Sequence, residues 1–262
     1  MRALPLLALL LAAPAAAQEA PKPIAASKII LVGDSTTAVI GGWGPSFCAY
    51  HVTSFAACVN LARGGRSSGS YRAEGSWDLA LAEMRTPGFR NIWVLIQFGH
   101  NDQPGKPGRS TDLATEFPAN LARYVDEVRA TGAKPILLTP LTRRIFVDGK
   151  LQNDLAPWAA AIRKVAADKK VPLLDLNAES SAAVQAMGEA AADRFAQLPP
   201  GSAPIGPQPG AATTEVEVLP MAQPKLSFDR THLGVEGANY FAAMVTRELA
   251  AAVPEMRPLL VR

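Results

Sequence analysis

Two short segments far apart in the chain carry side chains capable of nucleophilic chemistry. The first is Gly33-Asp34-Ser35, which closes an apolar run where a tight turn can lift a serine hydroxyl clear of a sheet. The second is Asp229 and His232, three apart just before a final helical pattern. A carboxylate at that spacing can accept the imidazole Nδ1–H and leave Nε2 free to take a serine proton. Each segment alone has a plainer reading. Ser35 could be a helix N-cap after a strand, and Asp229 a helix cap beside a surface histidine. The Gly-x-Ser-x-Gly nucleophile elbow is absent, because Thr37 stands where its second glycine would be.

Acyl transfer also needs donors for a developing oxyanion. Gly65, in Arg63-Gly64-Gly65-Arg66-Ser67-Ser68, has no side chain to cover its backbone N–H. Asn101 follows Gly99-His100 and can present its amide NH₂ to the same space, giving three donors with the Ser35 N–H. Glycine loops and surface asparagines are common. What carries weight is their order: nucleophile, glycine donor, asparagine donor, then Asp and His.

These residues need elements to bring them together. Five apolar runs fill that role: Lys28–Val32, Cys58–Ala62, Asn91–Gln97, Pro135–Thr139 and Val171–Leu176. Their apolarity is continuous rather than alternating, as in parallel strands covered on both faces. Phe117, Leu121, Tyr124, Val125 and Val128 recur at helical spacing, with Gly132 as a C-terminal stop. Leu155, Ala159, Ile162 and Val165 repeat the pattern. A last helix over Val235–Ala252 has Tyr240, Phe241, Met244 and Leu249 as its core face. The alternation predicts a doubly wound α/β sandwich, in which ligands sit beyond the carboxyl ends of the strands. The stretch Pro199–Pro224, rich in proline and glycine, reads as a long surface loop.

Residues 1–17 read as a signal peptide. Arg2 supplies the charge, Leu4–Leu11 the apolar run and Ala15-Ala16-Ala17 the small residues before Gln18. The expectation is a single domain over 18–262, exported to the periplasm or beyond, with no membrane contact in its mature form. A net charge of +3 with no basic stripe gives nucleic-acid binding no support. No CxxC pair occurs and the 3 histidines (His51, His100, His232) are scattered, so neither metal nor organic cofactor is expected. Cys48 and Cys58, ten apart, form either a disulfide that export permits or two unpaired core residues; the disulfide is the expectation. Trp43 could stack on a sugar ring, or pack between its flanking glycines. Arg66 could meet a uronate carboxylate, or brace the Asn60 loop.

Gly33-Asp34-Ser35, Gly65, Gly99-His100-Asn101 and Asp229-x-x-His232 together resemble the four blocks of the SGNH (GDSL-type) hydrolases, over Lys28 to Ala252. The resemblance implies a three-layer α/β/α sandwich around a parallel five-stranded sheet. It makes Ser35 the nucleophile, His232 the base, Asp229 its partner, and Ser35 N–H, Gly65 N–H and the Asn101 side chain the oxyanion hole. Asn60-Leu61-Ala62 leading into Gly65-Arg66-Ser67-Ser68-Gly69-Ser70-Tyr71, Gly42-Trp43-Gly44, Asp102 after Asn101, and Thr139-Pro140-Leu141-Thr142-Arg143-Arg144 are similar to the rhamnogalacturonan acetylesterase branch. That branch implies an acetylated pectic polysaccharide or oligosaccharide as substrate. The proline-rich stretch before Asp229 departs from its pattern. Two rivals stand beside it: a lysophospholipase or thioesterase on the same fold, and a carbohydrate-binding protein without catalysis. Oligomeric state is not legible.

Overall fold

A computed structural model describes residues 25–205 and 226–261. The expected signal peptide and residues 206–224 of the proline-rich stretch lie outside them. β1 (Ser27–Gly33) is followed by α1 (Gly44–Tyr50) and β2 (Ala56–Asn60). Next come α2 (Ser70–Ala73), α3 (Ser76–Met84), β3 (Ile92–Gln97), α4 (Glu116–Ala130) and β4 (Lys134–Leu138). A small hairpin, β5 (Phe146–Val147) and β6 (Lys150–Leu151), precedes α5 (Ala156–Lys169) and β7 (Leu173–Leu174). The chain continues through α6 (Leu176–Met187), α7 (Glu189–Asp193) and α8 (Val235–Ala252) to a 3₁₀ segment at Pro254–Leu259.

Five parallel strands form one sheet in the order β2-β1-β3-β4-β7. Successive residues of a strand point to opposite faces, and here both faces are dry. Ile29 and Leu31 of β1 pack with Trp93, Leu95, Ile136 and Leu138 toward Phe47 of α1 and Phe241, Met244 and Val245 of α8. Ile30 and Val32 face the other way, with Val94, Ile96 and Leu137, toward Trp77 of α3, Tyr124 of α4 and Ile162 of α5. These are the three layers of an α/β/α sandwich. Because β1 leads outward to β2 while β3 leads the other way to β4, the winding reverses between β1 and β3. A crevice opens at such a point, beyond the strand ends.

Several boundaries differ from the sequence expectation. β2 begins at Ala56, opposite Ser27, and ends at Asn60. The Asn60 side chain turns the chain there, accepting from Ala62 N at 3.1 Å and donating to Thr37 O at 2.9 Å. β7 is only two residues long, because Asp175 already stands at the N-cap position of α6 and Leu176 belongs to that helix. In α8, Phe241, Met244 and Leu249 are buried, but Tyr240 is 39% exposed and rests its ring on Phe195, 5.0 Å away. Cys48 of α1 and Cys58 of β2 are joined in a disulfide. Among the described residues, no helix is long and apolar enough to cross a membrane.

Candidate active site

Ser35 lies two residues past the end of β1, at the reversal of winding. Its loop is fixed from beneath. Asp34 Oδ1 accepts from Thr36 N at 2.9 Å and Thr36 Oγ1 at 2.8 Å, and Ala38 N donates to Asp34 O at 3.0 Å. Gln97, the last residue of β3, ties this loop to the neighbouring strands. Its Oε1 accepts from Thr37 Oγ1 at 2.5 Å and Trp43 Nε1 at 3.0 Å, while its Nε2 donates to Thr139 O at 3.1 Å. In the sequence Gln97 reads as an ordinary strand residue. A glutamine ending a strand otherwise apolar along its length was the available signal.

The far segment meets this loop. His232 Nε2 stands 2.9 Å from Ser35 Oγ, and His232 Nδ1 stands 2.9 Å from Asp229 Oδ2. Asp229 Oδ1 also accepts from the backbone N–H groups of Thr231 and His232, each at 2.7 Å. Burial by itself would raise the Asp229 carboxyl. The imidazole and the two N–H groups outweigh burial and hold it at about 2. An ionised carboxylate can only accept, so the Nδ1 proton points at Asp229 and Nε2 is left as acceptor for the serine O–H.

A buried arginine builds the Asp229–His232 loop. Arg144, 1% exposed, donates to the carbonyls of His232 at 2.8 Å, Asp229 at 3.0 Å and Thr231 at 3.3 Å. Its backbone N–H donates to Arg230 O at 2.8 Å. Burial pulls its guanidinium down to about 10, with Asp229 and Asp193 working the other way. In the sequence Arg144 stands out only as part of a motif resembling a family's, with no role legible for it.

The remaining candidates divide. Gly64 and Gly65 pass over Ser35, close enough that a Cβ on Gly64 would lie 3.6 Å from Ser35 Cβ, and Gly65 takes a left-handed φ of 76°. Asn101 donates from Nδ2 to Arg66 O at 3.1 Å. An amide nitrogen carries two hydrogens, so one N–H remains for a ligand. The loops after β1, β2 and β3 thus bring Ser35, Gly65 and Asn101 together.

Trp43 does not reach a substrate. It is fully buried, with its indole N–H spent on Gln97. The glycines beside it permit close packing: a Cβ on Gly42 would stand 2.5 Å from Thr37 C, and one on Gly44 2.3 Å from Thr37 O. Arg66 is also turned inward, donating to Glu74 Oε2 at 2.6 Å and Gly64 O at 3.0 Å. It braces the glycine loop and offers no fork to a uronate.

Behind the donors lies a second polar layer. Asp102 accepts from Ser68 Oγ at 2.6 Å, Ser68 N at 3.0 Å and Thr111 Oγ1 at 2.9 Å, tying the loops after β2 and β3 together. Burial pushes its carboxyl up to about 6 despite those donors. His100 Nδ1 lies 3.3 Å from Asp34 Oδ2, in contact but out of line for a hydrogen bond. Burial would raise Asp34, but His100 and the Thr36 donors outweigh it and lower the carboxyl. Among the described residues, no three His, Cys, Asp or Glu side chains gather as metal ligands.

A model described as the GDSL-like Lipase/Acylhydrolase family matches residues 31–238. The chain is 34% identical over 171 residues to a protein named probable rhamnogalacturonan acetylesterase YesY of Bacillus subtilis, covering 63% of this chain and 76% of that one. It is 35% identical over 175 residues to rhamnogalacturonan acetylesterase RhgT of the same organism, covering 64% and 71%. The solved structure of Bacillus subtilis protein YxiM resembles it with a TM-score of 0.63 at 23% identity, over 88% of this chain and 58% of that one, which is a likeness of fold. With the match running from inside β1 into α8, the chain belongs to the GDSL-like lipase/acylhydrolase family and is a carboxylic ester hydrolase.

Proposed function

We propose that the chain is an exported serine acetylesterase that removes O-acetyl groups from a polysaccharide, pectic rhamnogalacturonan, through an acetyl-Ser35 intermediate. One observation carries the chemistry: a single imidazole spans Ser35 and Asp229 with 2.9 Å on each side. Ser35 Oγ attacks the acetyl carbonyl as His232 Nε2 takes its proton. The oxyanion is met by Ser35 N–H, Gly65 N–H and Asn101 Nδ2. His232 then protonates the departing sugar oxygen. Water, activated by the same imidazole, releases acetate from Ser35. Asp229 stays ionised and stabilises the imidazolium. The pectic substrate is supported by the names of the two relatives that match over most of their length.

One feature favours a second reading, a long-chain acyl hydrolase. Val39 and Ile40, just past the nucleophile, are 64% and 50% exposed and could line an acyl chain. A p-nitrophenyl ester series separates the two. An acetyl site should turn over acetate at least about tenfold faster than octanoate, since even one misfitting methylene is worth ~1–3 kcal/mol. Preference for octanoate would move the assignment to the lipase reading. Acetate release from acetylated rhamnogalacturonan should also exceed that from acetylated xylan at matched ester concentration. The reverse order would discard the pectic substrate.

A further inference from the structure

We infer that Gln197 is a specificity-determining residue on the leaving-group side of Ser35, where its amide binds a free hydroxyl next to the ester on the acetylated sugar. This rests on the leaving group being a sugar alcohol, as proposed above, and not on which sugar it is.

Gly41 locates the amide. It takes a left-handed φ of 86°. A Cβ built on it would stand 3.0 Å from Gln197 Nε2 and 3.3 Å from His232 Cδ2, which leaves those two atoms about 6 Å apart at most. Cδ2 is bonded to Nε2, the atom that stands 2.9 Å from Ser35 Oγ. The departing oxygen takes its proton from that Nε2, so the sugar must stand against this edge of the imidazole. Two hydrogen bonds of about 2.9 Å, one to His232 and one to Gln197, close the remaining gap across a neighbouring pair of ring oxygens.

The backbone holds Gln197 in this place. Gly234 N donates to Phe195 O at 2.8 Å, Ala196 N to Asp193 O at 3.1 Å and Leu233 N to Gly41 O at 2.8 Å. The chain before Gln197, the loop of His232 and the end of the nucleophile loop are thus laced together. Its side chain is left open. Among the described residues the other glutamines, Gln97, Gln103, Gln152 and Gln185, each spend an amide on this chain. Gln197 has no such bond, and it is half-buried without being sealed from solvent. An amide carries two N–H donors and a carbonyl acceptor, so it can meet a hydroxyl in either orientation. An ester without that hydroxyl would cover the amide and leave it unpaired, and this discriminates against it.

The test compares kcat/KM for two acetate esters that differ by one hydroxyl, the monoacetate of trans-cyclohexane-1,2-diol and cyclohexyl acetate, in the wild type, Gln197→Ala and Gln197→Met. Methionine keeps the length of the side chain and removes its hydrogen bonding. Loss of one neutral hydrogen bond should lower the ratio of hydroxylated to plain ester roughly three- to tenfold in both variants. An equal fall on both esters would make Gln197 a spacer for the imidazole, and an unchanged or raised ratio would remove it from recognition; either overturns the inference. A wild type that hydrolyses p-nitrophenyl acetate but neither cyclohexyl ester defeats the sugar-ester reading instead. Gln197 is then judged by trans-cyclohexane-1,2-diol as inhibitor of p-nitrophenyl acetate hydrolysis. Inhibition weaker by about threefold or more in Gln197→Met sustains its role, and equal inhibition overturns it.

Discussion

Replacing Arg144 by methionine keeps most of the side-chain volume and deletes the guanidinium that holds the Asp229–His232 loop. Two of its three side-chain bonds, to His232 O and Asp229 O, are 3.0 Å or shorter. A hydrogen bond involving a charged group contributes about 1.5–3 kcal/mol, so the pair is worth ~3–6 kcal/mol before offsets. Release of a buried charge returns part of that, because desolvating an ion costs several kcal/mol. The net stability loss should be about 2–3 kcal/mol, which a domain of this size survives. Catalysis should suffer more. The carbonyls that lose their donor belong to the residues that aim the imidazole at Ser35, and a displacement of about 1 Å costs roughly 10²-fold. With p-nitrophenyl acetate, kcat should fall by that factor while KM changes little, because acetyl binding does not use Arg144. Added guanidinium ion should restore part of kcat, and thermal unfolding run in parallel establishes that the variant is folded. A folded Arg144→Met enzyme with kcat close to wild type, or a loss confined to KM, would refute the reasoning.

Other perturbations test the rest of the site. Asn101→Ala should lower kcat roughly 10²- to 10³-fold with a much smaller change in KM, as expected on losing one oxyanion donor; a loss mainly in KM would make Asn101 a substrate-binding residue. Asp102 is raised to about 6 from an unfolded value near 3.9, so its stabilising contribution is complete below about pH 4 and is lost as pH rises through about 6. The stability difference between Asp102→Asn and wild type should therefore shift by roughly 2–3 kcal/mol in favour of the variant across that window, read by denaturant titration at each pH; a flat difference curve counts against the raised carboxyl. Reducing Cys48–Cys58, which closes a short loop between α1 and β2, should cost roughly 2–3 kcal/mol, and equal stability of oxidised and reduced protein would contradict this.

The sheet was legible because β1, β3 and β4 are buried on both faces, which demands unbroken apolar runs such as Ile29 to Val32 and Val94 to Ile96. The edges were less so. In Leu173-Leu174-Asp175-Leu176 the same apolarity serves two residues of strand and the first turn of α6. The alanines and serines that continue α6 give little contrast between its faces. The triad could be read from residue types in order, since acid, base and nucleophile are few. The supports could not: Gln97 and Arg144 act through backbone carbonyls and hydroxyls that only the fold brings within reach. Of the two roles open to Trp43 in the sequence, packing is the one the fold uses. The glycines beside it are the means by which two backbones touch.

Ser35 and His232 are 197 positions apart. Closing a loop of that length costs about 4–5 kcal/mol of chain entropy, more than the ~1 kcal/mol net value of the hydrogen bond that joins them. Burial of Phe241, Met244 and Val245 of α8 against Phe47 of α1 has to supply the difference. The nucleophile therefore leaves the ribosome early and stays chemically idle until α8 docks. In refolding followed by fluorophosphonate labelling, Ser35 should become reactive in step with the last burial of aromatic side chains, never ahead of it. The fold thereby acts as a safety catch, since a chain that has not finished folding has no armed serine with which to cleave the esters around it.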